Sequence, residues 1–216
     1  GQPLRLDVGV AEVVPKIVVR RLLEPALTST ERLRLAFHEG SFDRLLADLA
    51  LHALDVVISD APLPTGSSIR AFTHLLGETS VSFFGTKALV ARYGRGFPRS
   101  LDGAPLLLPL ENLTLRRSLD QWLDRHGIKP RVVAEFEDSA MMKVFGADGL
   151  GLFPAPTAVE KEIERQYGVK LLGRVDEVRE RFYAISVERR LKNPAVVAIC
   201  DAARHELFAV SGAQRS

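Results

Sequence analysis

Residues 54–60 read Leu-Asp-Val-Val-Ile-Ser-Asp, a short apolar run that ends in two polar residues. A run of this kind is typical of a strand buried in a parallel sheet. Residues 4–10 and 33–37 alternate between apolar and polar positions and predict two more strands. Segments with apolar residues at helical spacing separate the three strands. The predicted order is therefore strand, helix, strand, helix, strand, which is the order of a parallel α/β sheet.

The ends of the first two helices can be predicted from single residues. The first helix covers residues 14–23, and we expect Pro25 to end it, because proline removes a backbone donor and disrupts a helix interior. The second helix begins after Ser41, a good N-cap, and carries apolar residues at i, i+3, i+4 and i+7.

The second half of the chain repeats the alternation. Strands are predicted at residues 81–84, 106–108, 131–136, 150–153, 169–172 and 182–187. Helices are predicted after the N-caps Asn112 and Asp138, over 157–167, and after Asn193; the second of them places Met141, Val144 and Phe145 on one face. About eight strands in a chain of this length suit two small doubly wound subdomains better than one large sheet, with a ligand cleft between them.

The composition excludes several classes of protein. The 216 residues include 29 Lys and Arg against 27 Asp and Glu. The resulting net charge of +2 gives no indication of a nucleic-acid-binding surface. The longest stretch without a charged residue, 149–159, falls far short of the roughly 20 residues of a membrane-spanning helix, so no membrane partner is expected. The single cysteine excludes an internal disulfide and fits a reducing compartment, so we expect a cytoplasmic location.

Signals of catalysis are weak. Five histidines are scattered along the chain, and neither an HExxH zinc motif, a GxSxG elbow nor a P-loop is present. Gly149-Leu150-Gly151 resembles part of a dinucleotide fingerprint, but it follows a helix and precedes a strand, which is the wrong order. Cys200 lies on the apolar side of the last predicted helix and is interpreted as an inert core thiol. We therefore predict neither enzymatic activity nor a cofactor.

Three predicted loops at strand ends each carry a carboxylate, namely Glu12, Asp60 and Glu111. Carboxylates at such positions would repel an anionic effector, and they could collect a small hard cation through oxygen ligands. Taken singly, each is explained at least as well as a favourable turn or first-turn residue. The residues alone leave both interpretations open and define no firm metal site.

The whole chain resembles the effector-binding, or regulatory, domain of LysR-type transcriptional regulators. Four features carry the resemblance: Leu-Asp-Val-Gly-Val at 6–10, the first helix with a proline at its end, the run at 54–60, and Asn-Pro-Ala-Val at 193–196. Within the family the chain is most similar to the regulators of a sodium/proton antiporter gene. The segments that carry this closer similarity are 7–11, 77–84 and 135–147.

The resemblance implies the fold of type-II periplasmic binding proteins, in which two crossover strands join two α/β subdomains around an effector cleft. Subdomain I would comprise residues 1–77 and 178–216, and subdomain II residues 78–177. The winged helix-turn-helix of such regulators would lie outside this chain, so DNA would be bound only through that missing domain. Family dimers pair the first helix and second strand of one subunit with subdomain II of the other, which implies a homodimer or tetramer.

The resemblance also implies an effector site, carried over by position. Its residues are Val10, Ala11, Glu12, Ser59, Asp60, Glu111, Asn112, Thr114, Phe153 and Pro154. Many family members hold a carboxylate effector with small hydroxylated residues in the first of these loops. Ala11 and Glu12 stand there in this chain, which is compatible with sensing of Na⁺ and puts an organic acid in doubt.

The expected function is therefore an effector-sensing and dimerisation domain of a LysR-type DNA-binding transcription regulator, with Na⁺ or a small molecule as the effector. The alternative is a free-standing solute-binding protein, which shares this fold. An α/β enzyme is a distant third, since the sequence supplies no nucleophile, base or metal site for one.

Overall fold

The computed structural model describes residues 4–29, 33–187, 194–203 and 207. The chain forms two compact units: unit 1 comprises Gly1–Glu78 and Arg181–Ser216, and unit 2 comprises Thr79–Glu180. Two long strands, β4 (Phe72–Gly85) and β8 (Lys170–Ser186), run from one unit into the other.

Unit 1 is an α/β unit with parallel strands at its centre. Its other elements are β1 (Leu4–Ala11), α1 (Lys16–Ser29), β2 (Leu33–Gly40), α2 (Phe42–Ala50), β3 (Val56–Ser59) and α7 (Pro194–Ala202). Strand β1 is parallel to both β2 and β3, and β3 is antiparallel to the last residues of β8. Helix α1 packs against α7, which carries the buried Cys200.

The alternation of residues along β1 builds the core of unit 1. Leu6, Val8 and Val10 are buried on one face of the sheet. On the other face, a Cβ added to Gly9 would lie only 2.7 Å from Leu54 Cδ1, so the glycine allows the connection into β3 to pack closely against β1. Both faces of β1 are therefore covered, as expected for a strand of a parallel sheet.

Unit 2 contains a second set of strands and helices. Its elements besides β4 and β8 are α3 (Lys87–Tyr93), β5 (Pro105–Pro109), α4 (Thr114–Arg125), β6 (Arg131–Phe136), α5 (Ser139–Ala147), β7 (Phe153–Pro156) and α6 (Glu160–Tyr167), with 3₁₀ turns at Arg99–Leu101 and Thr157–Val159. Strands β5 and β6 are parallel, and β4 and β7 are antiparallel. Leu106, Leu119, Trp122 and Phe83 belong to its buried core. No helix in the described part of the chain is long and apolar enough to cross a membrane.

The sheets are mixed: the predicted parallel pairing is present in β1–β2, β1–β3 and β5–β6, and antiparallel pairs, which were not predicted, occur as well. The long strands β4 and β8 pair antiparallel with β7 and β3, respectively. The predicted strands at 169–172 and 182–187 are parts of the single 17-residue strand β8. Its middle is rich in charged residues, and the two buried valines there, Val175 and Val178, are three residues apart and therefore give no alternation to recognise.

One local prediction fails, and one predicted apolar helix face is exposed, because tertiary packing outweighs local preference. Pro25 lies inside α1 and does not end it. Leu22, Leu23 and Ala26 on either side of the proline are buried, and their burial offsets the lost backbone hydrogen bond. In α5, Met141 and its predicted face partners are exposed, and the buried face carries Met142, Lys143 and Gly146 instead.

Two element boundaries also differ from the prediction. Strand β7 begins at Phe153 rather than at residue 150, and Leu152 makes only an isolated bridge with Leu106. Leu113, not Asn112, occupies the N-cap of α4. Helix α3 was not predicted, and the predicted cap Asn193 lies outside the described residues.

Candidate effector-binding site

Unit 1 brings together the predicted site residues at the carboxyl ends of β1 and β3. Val10 stands opposite Ile58 in the parallel pairing of these strands, so Ala11 and Ser59 follow at the same edge of the sheet. Val10 and Ala11 are buried. The backbone N–H of Glu12 donates to Gly40 O at 3.2 Å, which ties the start of this loop to the end of β2. This backbone hydrogen bond helps to fix where Glu12 leaves the sheet.

The end of β3 forms a tight polar turn. Ser59 Oγ donates to Ala61 O, and Ala61 N donates back to Ser59 Oγ at 3.3 Å. Asp60, between them, has only 9% of its surface exposed. A carboxylate at this depth is largely desolvated, and desolvation of a charge is costly unless an opposite charge or hydrogen bonds compensate it. Asp60 is thus the most deeply buried of the three predicted cation ligands.

Unit 2 places Glu111, Asn112 and Thr114 in and beside the loop that follows β5, and all three are exposed. Leu110 N donates to Phe136 O at 2.9 Å at the start of this loop, and Leu113 N donates to Leu110 O at 3.1 Å. The α4 N-cap position, Leu113, supplies no side-chain acceptor to the first turn of the helix. The loop is therefore held by its backbone and presents polar side chains to solvent.

Phe153 and Pro154 lie in β7 and are buried within unit 2. The Phe153 ring stacks on Phe84 with centroids 5.9 Å apart. A Cβ added to Gly146 would lie 2.2 Å from Phe153 Cδ1, so α5 passes directly over this ring. Phe153 therefore has a core-packing role, whatever else it contacts.

Arg116 is a residue of this region that the sequence analysis missed. It is buried in α4, and its Nη1 donates to Pro109 O at 2.8 Å and to Glu135 Oε2 at 2.6 Å, while its Nε donates to Asp120 Oδ1 at 3.0 Å. Burial alone lowers the pKa of Arg116, but the hydrogen bonds to Glu135 and Asp120 outweigh it and raise the pKa above its usual value. Arg116 stands four residues before Asp120, and this i,i+4 spacing was the one sequence signal that could have drawn attention to it.

Lys143 is the second missed residue. It lies on the buried face of α5 with only 2% of its surface exposed, and Nζ donates to Ser139 O at 3.3 Å. Burial lowers the pKa of Lys143 to about 8, against the opposing effect of Glu180 and Asp138. Because lysine is ordinarily a surface residue, the pattern of α5 gave no signal that this one faces inward.

The predicted cation ligands are divided between the units. Glu12 and Asp60 belong to unit 1, whereas Glu111 belongs to unit 2. Among the described residues, no group of three or more His, Cys, Asp or Glu side chains is arranged to hold a metal ion. A joint role for the three carboxylates stays a prediction.

A comparison with protein families identifies the class of this chain. The family model of the LysR substrate binding domain matches residues 2–208. The chain therefore belongs to this family, and it is an effector-binding domain of the LysR type. The alternative prediction of a free-standing solute-binding protein is not favoured.

Two transcriptional activators are similar to this chain over most of its length. The transcriptional activator protein NhaR of Escherichia coli (strain K12) is 35% identical over 205 residues, which cover 95% of this chain and 67% of the relative. NhaR of Shigella flexneri matches to the same extent. The predicted similarity to this kind of regulator is confirmed.

Solved structures of LysR-type regulatory domains share the fold. The reduced form of the regulatory domain of OxyR2 from Vibrio vulnificus superimposes with a TM-score of 0.70 at 13% identity and covers 94% of this chain and 95% of its own. The apo regulatory domain of HypT from Salmonella typhimurium gives 0.66 at 16% identity, over 92% and 93%. At these identities the likeness shows the fold alone. The predicted α/β fold, of the type-II periplasmic-binding-protein kind, is confirmed.

Proposed function

We propose that this chain is the sensing and dimerisation part of a cytoplasmic transcription activator, whose DNA contacts come from a winged helix-turn-helix outside this chain. Membership of the LysR substrate-binding family and 35% identity to the activator NhaR support the proposal. The low net charge of +2 fits a domain that does not itself bind DNA.

The proposed mechanism is a shift in population between arrangements of the regulator. An effector that binds one arrangement better than another biases the equilibrium by its difference in affinity, and by no more. The dimer would pass this bias to the DNA-binding domains. Effector binding and DNA binding would then be coupled reciprocally.

We propose Na⁺ as the effector, held with the help of Glu12 and Asp60 of unit 1. The observation that carries this proposal is the pair of carboxylates at the adjoining ends of β1 and β3, where Asp60 is almost fully buried. A cation bound there would be attracted by both carboxylates, and the low local dielectric around a buried group strengthens that attraction. Hard cations prefer carboxylate and backbone carbonyl oxygens, and strand ends offer both.

Isothermal titration of the chain with NaCl tests the cation, with KCl at constant ionic strength as the comparison. We expect saturable heat with Na⁺ only and a loss of at least about tenfold in affinity for Asp60→Asn, because the variant removes a charged oxygen ligand. Asp43→Asn, a change at an exposed position of α2 in the same unit, is the matched control and should bind as the wild type does. Equal, featureless heats for both salts, or unchanged binding by Asp60→Asn, would refute the cation proposal.

We propose that α1 and β2 form part of the dimer surface. Strand β2 is at the edge of the unit 1 sheet, and its Phe37 side chain is 53% exposed. Leu27 on α1 is exposed as well. An edge strand with exposed large apolar residues is a favourable surface for association.

A further inference from the structure

One end of unit 2 concentrates positive charge. It comprises residues 92–103, from the last turn of α3 onward, and residues 124–131, from the end of α4 to the start of β6, and we call it the basic end. The basic end contains six Lys or Arg residues against two Asp residues, an excess of four positive charges, whereas the excess in the whole chain is only two. All six basic residues are exposed: Arg92, Arg95, Arg99, Arg125, Lys129 and Arg131.

Hydrogen bonds bring the two segments of the basic end together. Arg99 Nη1 donates to His126 O at 2.8 Å, and Gly103 N donates to Lys129 O at 2.8 Å. These contacts come just before the first residues of the parallel strands β5 and β6, so the basic end lies at the amino ends of both strands. The loop that carries Glu111 follows the carboxyl end of β5, so the basic end is separate from the predicted effector residues of unit 2.

Ion pairs within the described residues do not neutralise this charge. None of the six basic side chains pairs with a carboxylate, whereas Arg116 and Arg174 elsewhere in unit 2 each do. Glu177 of β8 borders the basic end, where it pairs with His126 Nε2 at 3.2 Å and interacts with the charge of Arg125 at longer range. When Glu177 is included, six basic residues face three carboxylates, and an excess of three positive charges remains.

Local structure accounts for two of the six basic residues. Arg92 and Arg125 lie in the last turns of α3 and α4, where a positive charge interacts favourably with the helix dipole. The other four lie outside the α-helices, and their clustering adds repulsion between like charges. A surface of this kind attracts a polyanion.

The side chains of the basic end are suited to the phosphate backbone of a DNA duplex. Five of the six are arginines, and a guanidinium can donate two parallel hydrogen bonds to phosphate oxygens. Arg99 uses one nitrogen for His126 O, but a guanidinium has five N–H donors, so most of them remain for a ligand.

Apolar contacts that would favour another kind of partner are not found within the basic end. None of the exposed large apolar side chains of the described chain lies there. Protein interfaces rely on such anchors at their centre, and single-stranded nucleic acids stack their bases on exposed aromatic rings. Tyr93 and Phe97 are partly buried and pack against the core of unit 2. The surface therefore fits contact with the backbone of a duplex better than either alternative.

We infer that the basic end of unit 2 contacts the phosphate backbone of duplex DNA without reading its sequence. The inference rests on the proposed function in one respect, because the DNA-binding domain outside this chain would hold the duplex nearby. Tethering makes the second contact effectively intramolecular, so even a weak contact adds to the overall affinity. In the isolated chain such a contact is weak and sensitive to salt, which agrees with the net charge of only +2.

Fluorescence anisotropy of a labelled DNA duplex tests this contact. The chain is titrated into the duplex at KCl concentrations from about 50 to about 200 mM, and the use of KCl keeps the proposed Na⁺ effector out of the measurement. The test variant is Arg95→Gln with Lys129→Gln, one residue from each segment of the basic end. The matched control is Lys161→Gln with Arg165→Gln, which removes the same two charges from exposed positions of α6 in the same unit.

We expect the wild type to bind duplexes of unrelated sequence equally, with an affinity that falls as the KCl concentration rises. The test variant should bind at least about tenfold more weakly at about 50 mM KCl. It should also reduce the slope of log affinity against log salt by about 2, because each phosphate contact contributes about 0.9 to that slope. The control variant should bind as the wild type does.

Equal losses of affinity in the two double variants would show a general effect of net charge and would overturn the inference, as would a wild type that does not bind at about 50 mM KCl. Full competition by poly-glutamate at the same concentration of charge would assign the surface to acidic proteins and would overturn it too. The proposed function fails separately, if a regulator that contains this chain and its winged helix-turn-helix binds no operator. Duplex binding that depends on the basic end would still support the inference in that case.

Discussion

Replacing Lys143 with Met tests whether the charge buried at this position lowers the free energy of unfolding. The lysine side chain is almost completely buried, and its ammonium donates to Ser139 O in the preceding turn of α5. Burial lowers the pKa of Lys143 from an ordinary value of 10.5 to about 8, and the negative charges of Glu180 and Asp138 offset only part of this effect. Met has a similar length and no charge, so the substitution removes the titration and keeps most of the packing.

The sign of the effect follows from where the proton is bound. Below a pH of about 8, both the folded and the unfolded chain hold the proton on Lys143, and the full cost of burying the charge is present. Between the two pKa values the folded chain has released the proton while the unfolded chain retains it, so stability rises with pH. The interval of about 2.5 pH units, at about 1.4 kcal/mol each, corresponds to about 3 kcal/mol.

Urea unfolding at a series of pH values measures this difference. We expect the stability of the wild type, relative to Lys143→Met, to rise by about 3 kcal/mol between pH values of about 7.5 and 10.5. Lys161→Met removes an exposed lysine from α6 in the same unit and controls for general alkaline effects. A stability difference between wild type and Lys143→Met that stays constant over this range would show that Lys143 titrates normally, and would refute the reasoning.

Two further substitutions test core packing and assembly. Gly146→Ala places a Cβ 2.2 Å from Phe153 Cδ1. We therefore expect a loss of about 1–3 kcal/mol in the free energy of unfolding, measured with urea. An unchanged free energy of unfolding would mean that the Phe153 ring can shift to accommodate the methyl group, and would contradict the prediction. Phe37→Glu puts a charge on the proposed dimer surface and is expected to weaken self-association about 30-fold in sedimentation equilibrium. Leu51→Glu, at an exposed position outside α1 and β2, should leave association unchanged, and equal association constants for these two variants would contradict the surface.

The order of elements in unit 1 could be predicted because each strand there has a simple pattern. Residues 4–10 alternate between apolar and polar positions, and residues 56–58 are continuously apolar. Both patterns correspond to the observed burial of β1 and β3. The strand ends that carry Glu12 and Asp60 follow directly from these assignments, so their approach at one sheet edge was accessible from sequence.

The crossover strands could not be predicted at full length. Strand β8 carries charged residues over much of its middle, and β4 begins with nine residues that precede the recognised apolar run. Pairing with neighbouring strands stabilises such segments, and neither strand partner is close in sequence. A one-dimensional pattern reports local periodicity, whereas these strands depend on contacts made across the chain.

The burial of several polar side chains could not be predicted from the sequence pattern either. Ser80 Oγ and Ser82 Oγ, on β4, lie 2.7 and 2.8 Å from Thr157 Oγ1, and the buried hydroxyls satisfy one another. Lys143 and Arg116 are buried beside carboxylates in the same unit. Residue type predicted exposure for these side chains, but buried polar groups are stabilised by specific partners, and the partners become visible only in the folded chain.

The loops of the candidate site show why residue types left two interpretations open. A hard cation is recognised by fixed oxygen atoms, and many of these can belong to the backbone. Backbone hydrogen bonds hold both loops, from Glu12 N to Gly40 O and from Leu110 N to Phe136 O, and a sequence pattern contains no record of them. When the backbone of a loop is held in this way, a carboxylate on it has a defined position in which it can bind a cation. The same carboxylate on an unrestrained turn would move in solvent and would have no defined position. The distinction between a cation ligand and an ordinary turn residue therefore depends on how the loop is anchored, and the residue types alone do not contain that information.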